Sequence, residues 1–235
     1  MLKQERHDTI LNILKERKYC TVRFLAQRLF VAPITVRRDL AEMESAGLVT
    51  RCYGGAAIPS YENREVPFEI RNRSNASAKE ALAKQAVAHI HAGDVVFLDA
   101  SSTVSHIPDS LTPEQSLTVI TNSMLVAEKL QKKRIRVFLT GGTPVENSNA
   151  LVGSLAEQAI AGLYANICFF SSQGVDAAGN ITDQSELETS LRRLMIKNSQ
   201  KQVFLFDSSK YGKRFAFRVG NLKDMTAVIT DQPDV

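Results

Sequence analysis

The spacing of apolar positions changes character near Ala76. Before that point apolar residues return at helical intervals. Within residues 3–17, Ile10, Ile13 and Leu14 mark an amphipathic first helix. Thr21 is placed to cap a second helix whose Leu25 and Leu29 face the same core. A third helix opens at Pro33, whose fixed φ and missing N–H suit a first helical position, runs to about Ala46 and stops at Gly47. At about 100° per residue, Val36, Leu40 and Met43 share its buried face, Ile34 and Arg38 fall opposite, and Thr35 and Arg37 lie on the flanks. The next stretch, residues 48–59, alternates, carries Arg51 and Tyr53 and passes through Gly54-Gly55, the pattern of a β-hairpin. Three helices and a hairpin predict a winged helix-turn-helix that offers the start of its third helix to the DNA major groove. Base readout then falls to Thr35, Arg37 and Arg38 beside Pro33 and Ile34, and phosphate contact to Arg51 and Tyr53.

Residues 59–75 are polar, charged and broken by Pro59 and Pro67, which predicts a linker; Phe68 and Ile70 imply that it is pinned to one domain. From Ala76 onward short continuous apolar runs alternate with helical stretches. An alanine-rich helix reaches about His91, another follows residues 101–103, and others cover 122–131, 154–163 and 185–198. Strands are predicted at 95–99, 117–121, 135–140, 166–170, 202–207 and 227–230. Unbroken apolar strands separated by helices mean a mainly parallel sheet covered on both faces. The predicted fold class is α/β. A small winged helix-turn-helix over residues 1–58 is followed by a linker over 59–75 and a larger α/β domain over 76–235.

In such sheets ligands bind where strand C-termini meet helix N-termini. Asp99, Ser101, Ser102 and Thr103 stand there after the first strand, Asn122 and Ser123 after the second, Gly141 and Gly142 after the third. Gln173 and Gly174 follow the fourth, and Asp207, Ser208, Ser209 and Lys210 the fifth. Small hydroxyl residues and glycines leave backbone N–H groups free for an anion, which the helix dipole also favours. Lys210 adds a phosphate-directed charge. At any single loop these residue types are ordinary caps and turns. Five consecutive strand ends built alike predict a small phosphorylated polar ligand. None is a Walker A or a G-x-G-x-x-G, so no nucleotide cofactor is expected.

Charge sharpens the picture of the head. Of the chain's formal net charge of +4, residues 1–58 carry all of it: ten Lys+Arg against six Asp+Glu, with 19 of each sign in the remainder. A local excess of this kind suits a polyanionic partner. The chain, 235 residues with 44% hydrophobic and 23% charged, has the length and balance of a globular protein with a real core. Cys20, Cys52 and Cys168 are scattered, and His7, His89, His91 and His106 make no metal-ligand pattern, so neither disulfides nor a metal are expected. No apolar run approaches membrane-span length and no signal peptide is visible, which predicts a cytoplasmic protein.

The chain resembles the DeoR family of bacterial transcription regulators over essentially its whole length. The residues that carry the resemblance are TVRRDL (35–40), RCYGGA (51–56) and PFEIR (67–71) in the first part. In the second they are VVFLDASST (95–103), VITNS (119–123), LTGG (139–142), LVGSLAE (151–157), DSSK (207–210) and VITD (228–231). The resemblance implies a winged helix-turn-helix repressor whose second domain looks like ribose-5-phosphate isomerase and senses a phosphorylated sugar. It also implies a homodimer or homotetramer on double-stranded operator DNA, controlling a sugar-catabolism operon.

There are departures from the family pattern. Phe30-Val31-Ala32 stands where the family has Gly-Val-Ser, so the third helix lacks a side-chain cap. Ser101 replaces a glycine of the family's Asp-x-Gly-Thr-Thr, and Gln173 occupies a carboxylate position. Glu188 and Arg192 match an acidic and basic pair, with arginine where lysine is usual; at i,i+4 the alternatives are ligand contact and a surface pair. An isomerase-like enzyme would need a carboxylate base, Asp99 or Asp176, and glutamine at 173 cannot serve as one, so no enzyme is expected. The remaining alternative is a regulator whose second domain only oligomerises.

Overall fold

The first helix, α1 (Lys3–Arg17), buries Arg6 together with Ile10 and Leu14 along one stripe. A short strand, β1 (Tyr19–Thr21), then leads into α2 (Val22–Leu29), and Thr21 Oγ1 accepts the Phe24 N–H at 3.1 Å, the predicted cap. α2 ends at Phe30, whose backbone is left-handed with φ 55°, and the Val31 N–H closes onto the Ala26 carbonyl at 3.1 Å. Pro33 opens α3 (Pro33–Ser45) without any side-chain cap from Ala32. Two further strands, β2 (Thr50–Cys52) and β3 (Gly55–Ala57), complete the wing.

The computed structural model describes the chain apart from residues 1, 18, 47, 53, 58–66, 147 and 233–235. It divides into two compact units, Met1–Ile70 and Arg71–Val235. In the first unit Leu25, Leu29, Val36, Leu40 and Met43 pack with Ile10, Leu14, Cys20 and Val49 in one core. The wing is more than the expected hairpin. It is an antiparallel sheet in the order β1-β3-β2, because Cys20 turns its side chain into the core and its neighbours pair with Ala57 and Gly55. Any Cβ at Gly55 would collide with the Cys20 carbonyl, which explains the glycine. The predicted stop at Gly47 lies outside the described residues.

The expected linker is partly helical: α4 (Phe68–Arg73) occupies its second half, with Phe68 buried. Helix α5 (Ala76–Val87) is shorter than predicted; Ala88, His89 and Ile90 continue it only as tightened turns, each N–H bonding three residues back. Strand β4 (Val95–Leu98) is followed by a 3₁₀ helix over Val104–Ser110, not the expected α-helix; Pro108 supplies no N–H to an α ladder. Next come β5 (Thr118–Thr121), α6 (Met124–Lys132), β6 (Arg136–Leu139), β7 (Thr143–Pro144), β8 (Leu151–Val152), α7 (Ser154–Ala161) and β9 (Ala165–Phe170). The chain ends with β10 (Gly174–Val175), β11 (Asn180–Asp183), α8 (Glu186–Lys197), β12 (Ser199–Phe206), β13 (Phe217–Asn221) and β14 (Ala227–Thr230).

Six of these strands form one parallel sheet in the order β14-β12-β9-β4-β5-β6. One face is covered by a core that includes Leu82, Ala86, Ile107, Val126 and Leu130; the other is covered by Ala156, Ile160, Leu191 and Met195. The chain builds outward from β4 through β5 to β6, then returns to β9 on the other side of β4. The topological switch therefore lies between β4 and β9, and the crevice at their C-terminal ends is where this architecture binds ligands. A small antiparallel sheet, β10-β11-β13, follows the β9 side of that end.

Candidate functional site

In the first unit, α3 presents Pro33, Ile34, Arg37 and Arg38 to solvent while Thr35 is half-buried. Asp39, on the same helix, is fully buried and receives two hydrogen bonds from Arg6, from Nε at 2.6 Å and from Nη2 at 2.9 Å; His7 Nε2 stands 3.4 Å away. Burial alone would push Asp39 up. The hydrogen bonds and charge of Arg6, joined by His7, outweigh it and hold the carboxyl below its ordinary value. This pair ties the reading helix to α1. The sequence reading missed it, although Arg6 sits four residues before Ile10 and so on the buried stripe. Arg51 is exposed and half-committed: its N–H donates to Glu44 Oε1 at 2.9 Å and its guanidinium lies 3.7 Å from the same carboxylate. Tyr53 is outside the described residues.

In the second unit the parallel sheet sets the strand ends along one edge, but several of the named groups there are already occupied. Asp99, at the switch point, accepts the Ser101 N–H at 3.1 Å and its hydroxyl at 2.5 Å on one oxygen, and Arg192 Nε at 2.8 Å and the Ser171 N–H at 3.4 Å on the other. Arg192 also donates to Asp183 at 3.1 Å and lies 3.6 Å from Glu188. The Glu188–Arg192 pair is therefore no surface pair: both side chains are 4% exposed, because α8 turns this face onto the sheet. Burial would lower Arg192, but Asp99, Asp183 and Glu188 outweigh it and hold its charge firmly. Burial pushes Glu188 up in spite of Arg192. Glu188 also accepts the Ser148 hydroxyl at 3.1 Å. Ser123 is spent on capping α6 through the Val126 N–H at 3.2 Å, and Ser101 Oγ accepts the Val104 N–H at 3.3 Å. Ser102 and Thr103 are buried beside it.

Other groups are open. Asn122 donates to the Leu151 carbonyl at 3.1 Å, but its Oδ1 has no partner among the described residues, and neither has Gln173 Nε2. Both side chains are buried. Asn122, Asp99, Glu188 and Arg192 line one narrow cleft, too tight for a water-sized molecule. Gly141 and Gly142 both have positive φ, 71° and 114°, and a Cβ at Gly142 would stand 2.5 Å from the Val152 carbonyl oxygen, so β6 can lead past β8 only with glycine there. At Gly174 a Cβ would meet the Lys213 carbonyl oxygen at 2.6 Å.

At the β12 end, Asp207 accepts the Ser209 N–H at 3.1 Å and Asn75 Nδ2 at 2.9 Å on Oδ1, leaving Oδ2 without a partner among the described residues. Lys210 is partly buried, and desolvation pulls its pKa down against Asp207. Beside it lies a residue the sequence reading missed. Lys79, 2% exposed, donates to the Ser74 carbonyl at 2.8 Å and to the Arg71 carbonyl, and burial first, then the charge of Lys210, push its pKa down to about 8. Its signal was available: Lys79, Leu82, Ala83 and Ala86 form the buried stripe of α5, so a lysine interrupts an otherwise apolar face. Among the described residues no three His, Cys, Asp or Glu side chains are grouped to hold a metal ion, and no helix is long and apolar enough to cross a membrane.

A winged helix-turn-helix followed by a doubly wound α/β unit with a polar crevice at its switch point defines a two-part class, a DNA-binding head with a second domain. Two family models match, the DeoR-like helix-turn-helix domain over residues 6–62 and the DeoR C-terminal sensor domain over 74–232. The chain belongs to the DeoR family of transcriptional regulators. It is 35% identical to the uncharacterized HTH-type transcriptional regulator YulB of Bacillus subtilis, over 98% of this chain and 90% of that one. It is 32% identical to the L-fucose operon activator of Haemophilus influenzae (97% and 91%) and 28% identical to the glycerol-3-phosphate regulon repressor of Escherichia coli (99% and 92%). The structure of ribose 5-phosphate isomerase A from Methanocaldococcus jannaschii overlays 59% of this chain and 55% of that one with a TM-score of 0.45 at 17% identity.

Proposed function

We propose that this protein represses a sugar-catabolism operon and is released from its operator, or retuned on it, by a phosphorylated sugar. Residues 1–58 bind the DNA and residues 76–235 sense the ligand. The observation that carries the ligand half is that two buried polar atoms at the C-terminal edge of the sheet, Asn122 Oδ1 and Gln173 Nε2, lack a partner among the described residues. Each such group left unmade costs about 1–3 kcal/mol, and a polyol supplies both the donor and the acceptor they need. Lys79 and Lys210, with the backbone N–H groups of Ser102 and Thr103, offer the charge and donors a phosphate takes. Asp99 and Arg192 act as the rigid frame, with Ser101, Ser102, Thr103, Gly141, Gly142, Gln173, Gly174 and Glu188 around the ligand.

The cleft has no room for even a water-sized molecule, so a sugar phosphate must widen it. A ligand that favours the wider arrangement shifts the population of states, which is what a sensor requires. The repressor reading follows the name of the Escherichia coli relative; the fucose relatives are named as activators, and the sign of the transcriptional response in a deletion strain separates the two. The working form is a homodimer or homotetramer in the cytoplasm, with paired heads on paired half-sites. Catalysis is disfavoured: Asp99 is saturated by Ser101, Ser171 and Arg192, and Asp176 is spent on Asn180 and the Ala178 N–H.

Titration calorimetry of the full chain with phosphorylated sugars and their parent sugars tests the reading. Binding by one phosphorylated sugar and not its parent is expected. Equal binding of the parent removes the phosphate from the reading, and no binding by any member favours a second domain that only assembles.

A further inference from the structure

Two large apolar side chains stand in solvent at the start of the reading helix: Phe30 is 93% exposed and Ile34 is 69% exposed. Phe30 also holds φ at 55°, a backbone in which phenylalanine is strained and glycine is not. A strained, solvated ring contributes nothing to the head's own core. The ring shares an open depression with Arg23, Gln27, Val31 and Pro33. Ile34 precedes Arg38 by four residues, so the two are neighbours on the exposed face of α3. The patch is thus apolar at its centre and bordered by the exposed cations Arg23 and Arg38.

That arrangement complements the apolar group that the major groove exposes between its phosphates, the C5 methyl of thymine. We propose that Ile34 and Phe30 read thymine through this methyl and, with Arg38, set the base preference of the head. The inference rests on the DNA-binding reading above. Side chains at i,i+4 have Cβ atoms about 5–6 Å apart, and successive base pairs rise by about 3.4 Å. The thymine read by Ile34 therefore lies within about two steps of the base contacted by Arg38.

The test begins by selecting tight-binding duplexes from random DNA with the full-length protein. Each thymine of the selected site is then replaced singly by deoxyuridine, which removes only the methyl, and affinity is measured by fluorescence anisotropy at fixed salt. One buried methyl is worth about 0.8 kcal/mol, so about a fourfold loss is expected at one or two thymines of each half-site. In Ile34→Ser or Phe30→Gly the same replacement should cost nothing further; glycine suits the φ at 30, and circular dichroism confirms that each variant folds. Tight binding with a flat deoxyuridine series overturns the inference alone. So does full deoxyuridine sensitivity in both variants, or a change of oligomeric state in Phe30→Gly with that sensitivity intact, which would assign the patch to a protein partner. Failure to select any DNA removes the DNA-binding reading and this inference together.

Discussion

Replacing Arg6 by methionine probes what holds the reading helix in place. Arg6 meets Asp39 through bonds of 2.6 and 2.9 Å, and the two side chains are 10% and 0% exposed. Methionine keeps much of the arginine's apolar stem and removes the charge, leaving a buried carboxylate with His7 at 3.4 Å as its remaining ionisable neighbour. Breaking a buried pair from one side costs about 3–5 kcal/mol, whereas replacing both partners by apolar groups of similar volume is often neutral or stabilising. At about 1.36 kcal/mol per tenfold, the single change should speed amide exchange in α3 by about two to four powers of ten. Hydrogen–deuterium exchange on the full chain reads this directly, with Arg6→Met compared against Arg6→Met/Asp39→Leu. Protection of α3 should fall in the first and return in the second, while peptides from β4 and β9 stay unchanged. Equal loss in both variants would refute the orphaned-charge reasoning, and no loss in Arg6→Met would refute the lock itself.

Acid should act at the same place. Asp39 has its folded pKa below the ordinary 3.8, so its contribution is complete above that value and disappears as pH falls through the lower one; Arg6→Met should flatten this acid limb of head stability. Arg38→Ala should weaken specific DNA binding by the about 1–3 kcal/mol of a bidentate guanine contact, in an anisotropy assay, with an unchanged melting curve. Because Lys79 is pushed down to about 8, an anion bound beside it draws a proton onto the amine at higher pH. Affinity for a phosphorylated ligand, followed by calorimetry, should therefore decline by up to about tenfold per unit as pH rises above that point, and Lys79→Met should reduce the slope, leaving only what Lys210 contributes. Gln173→Leu removes a buried donor that has no partner among the described residues, so the ligand-free protein should melt no lower than wild type while its response to ligand is lost.

What the sequence disclosed and what it hid follow from the range of the interactions involved. Helix starts rest on neighbours in the chain, and Thr21 and Pro33 announced theirs. Unbroken apolar strands such as Val95–Leu98 declared a sheet covered on both faces. The third wing strand was hidden because Tyr19–Thr21 is too short to show a period and pairs with residues more than thirty positions away. Pairing across long separations also decided the site. Asp99 and Arg192 could each be named as strand-end and helix candidates, but not that they bind each other across 93 positions and so form a frame. Lys79 was legible in principle as a charge inside an apolar stripe. Reading α5 as a plain alanine-rich helix passed over it.

The central claim is that a small phosphorylated molecule in the second unit governs DNA binding by the first. Fluorescence anisotropy on labelled DNA from upstream of this protein's own gene, at fixed near-physiological salt, tests it most directly. The account predicts tight binding that a phosphorylated sugar shifts, that its unphosphorylated parent leaves alone, and that Gln173→Leu no longer permits. Tight binding that no phosphorylated sugar alters, or that the parent sugar alters equally, would contradict it.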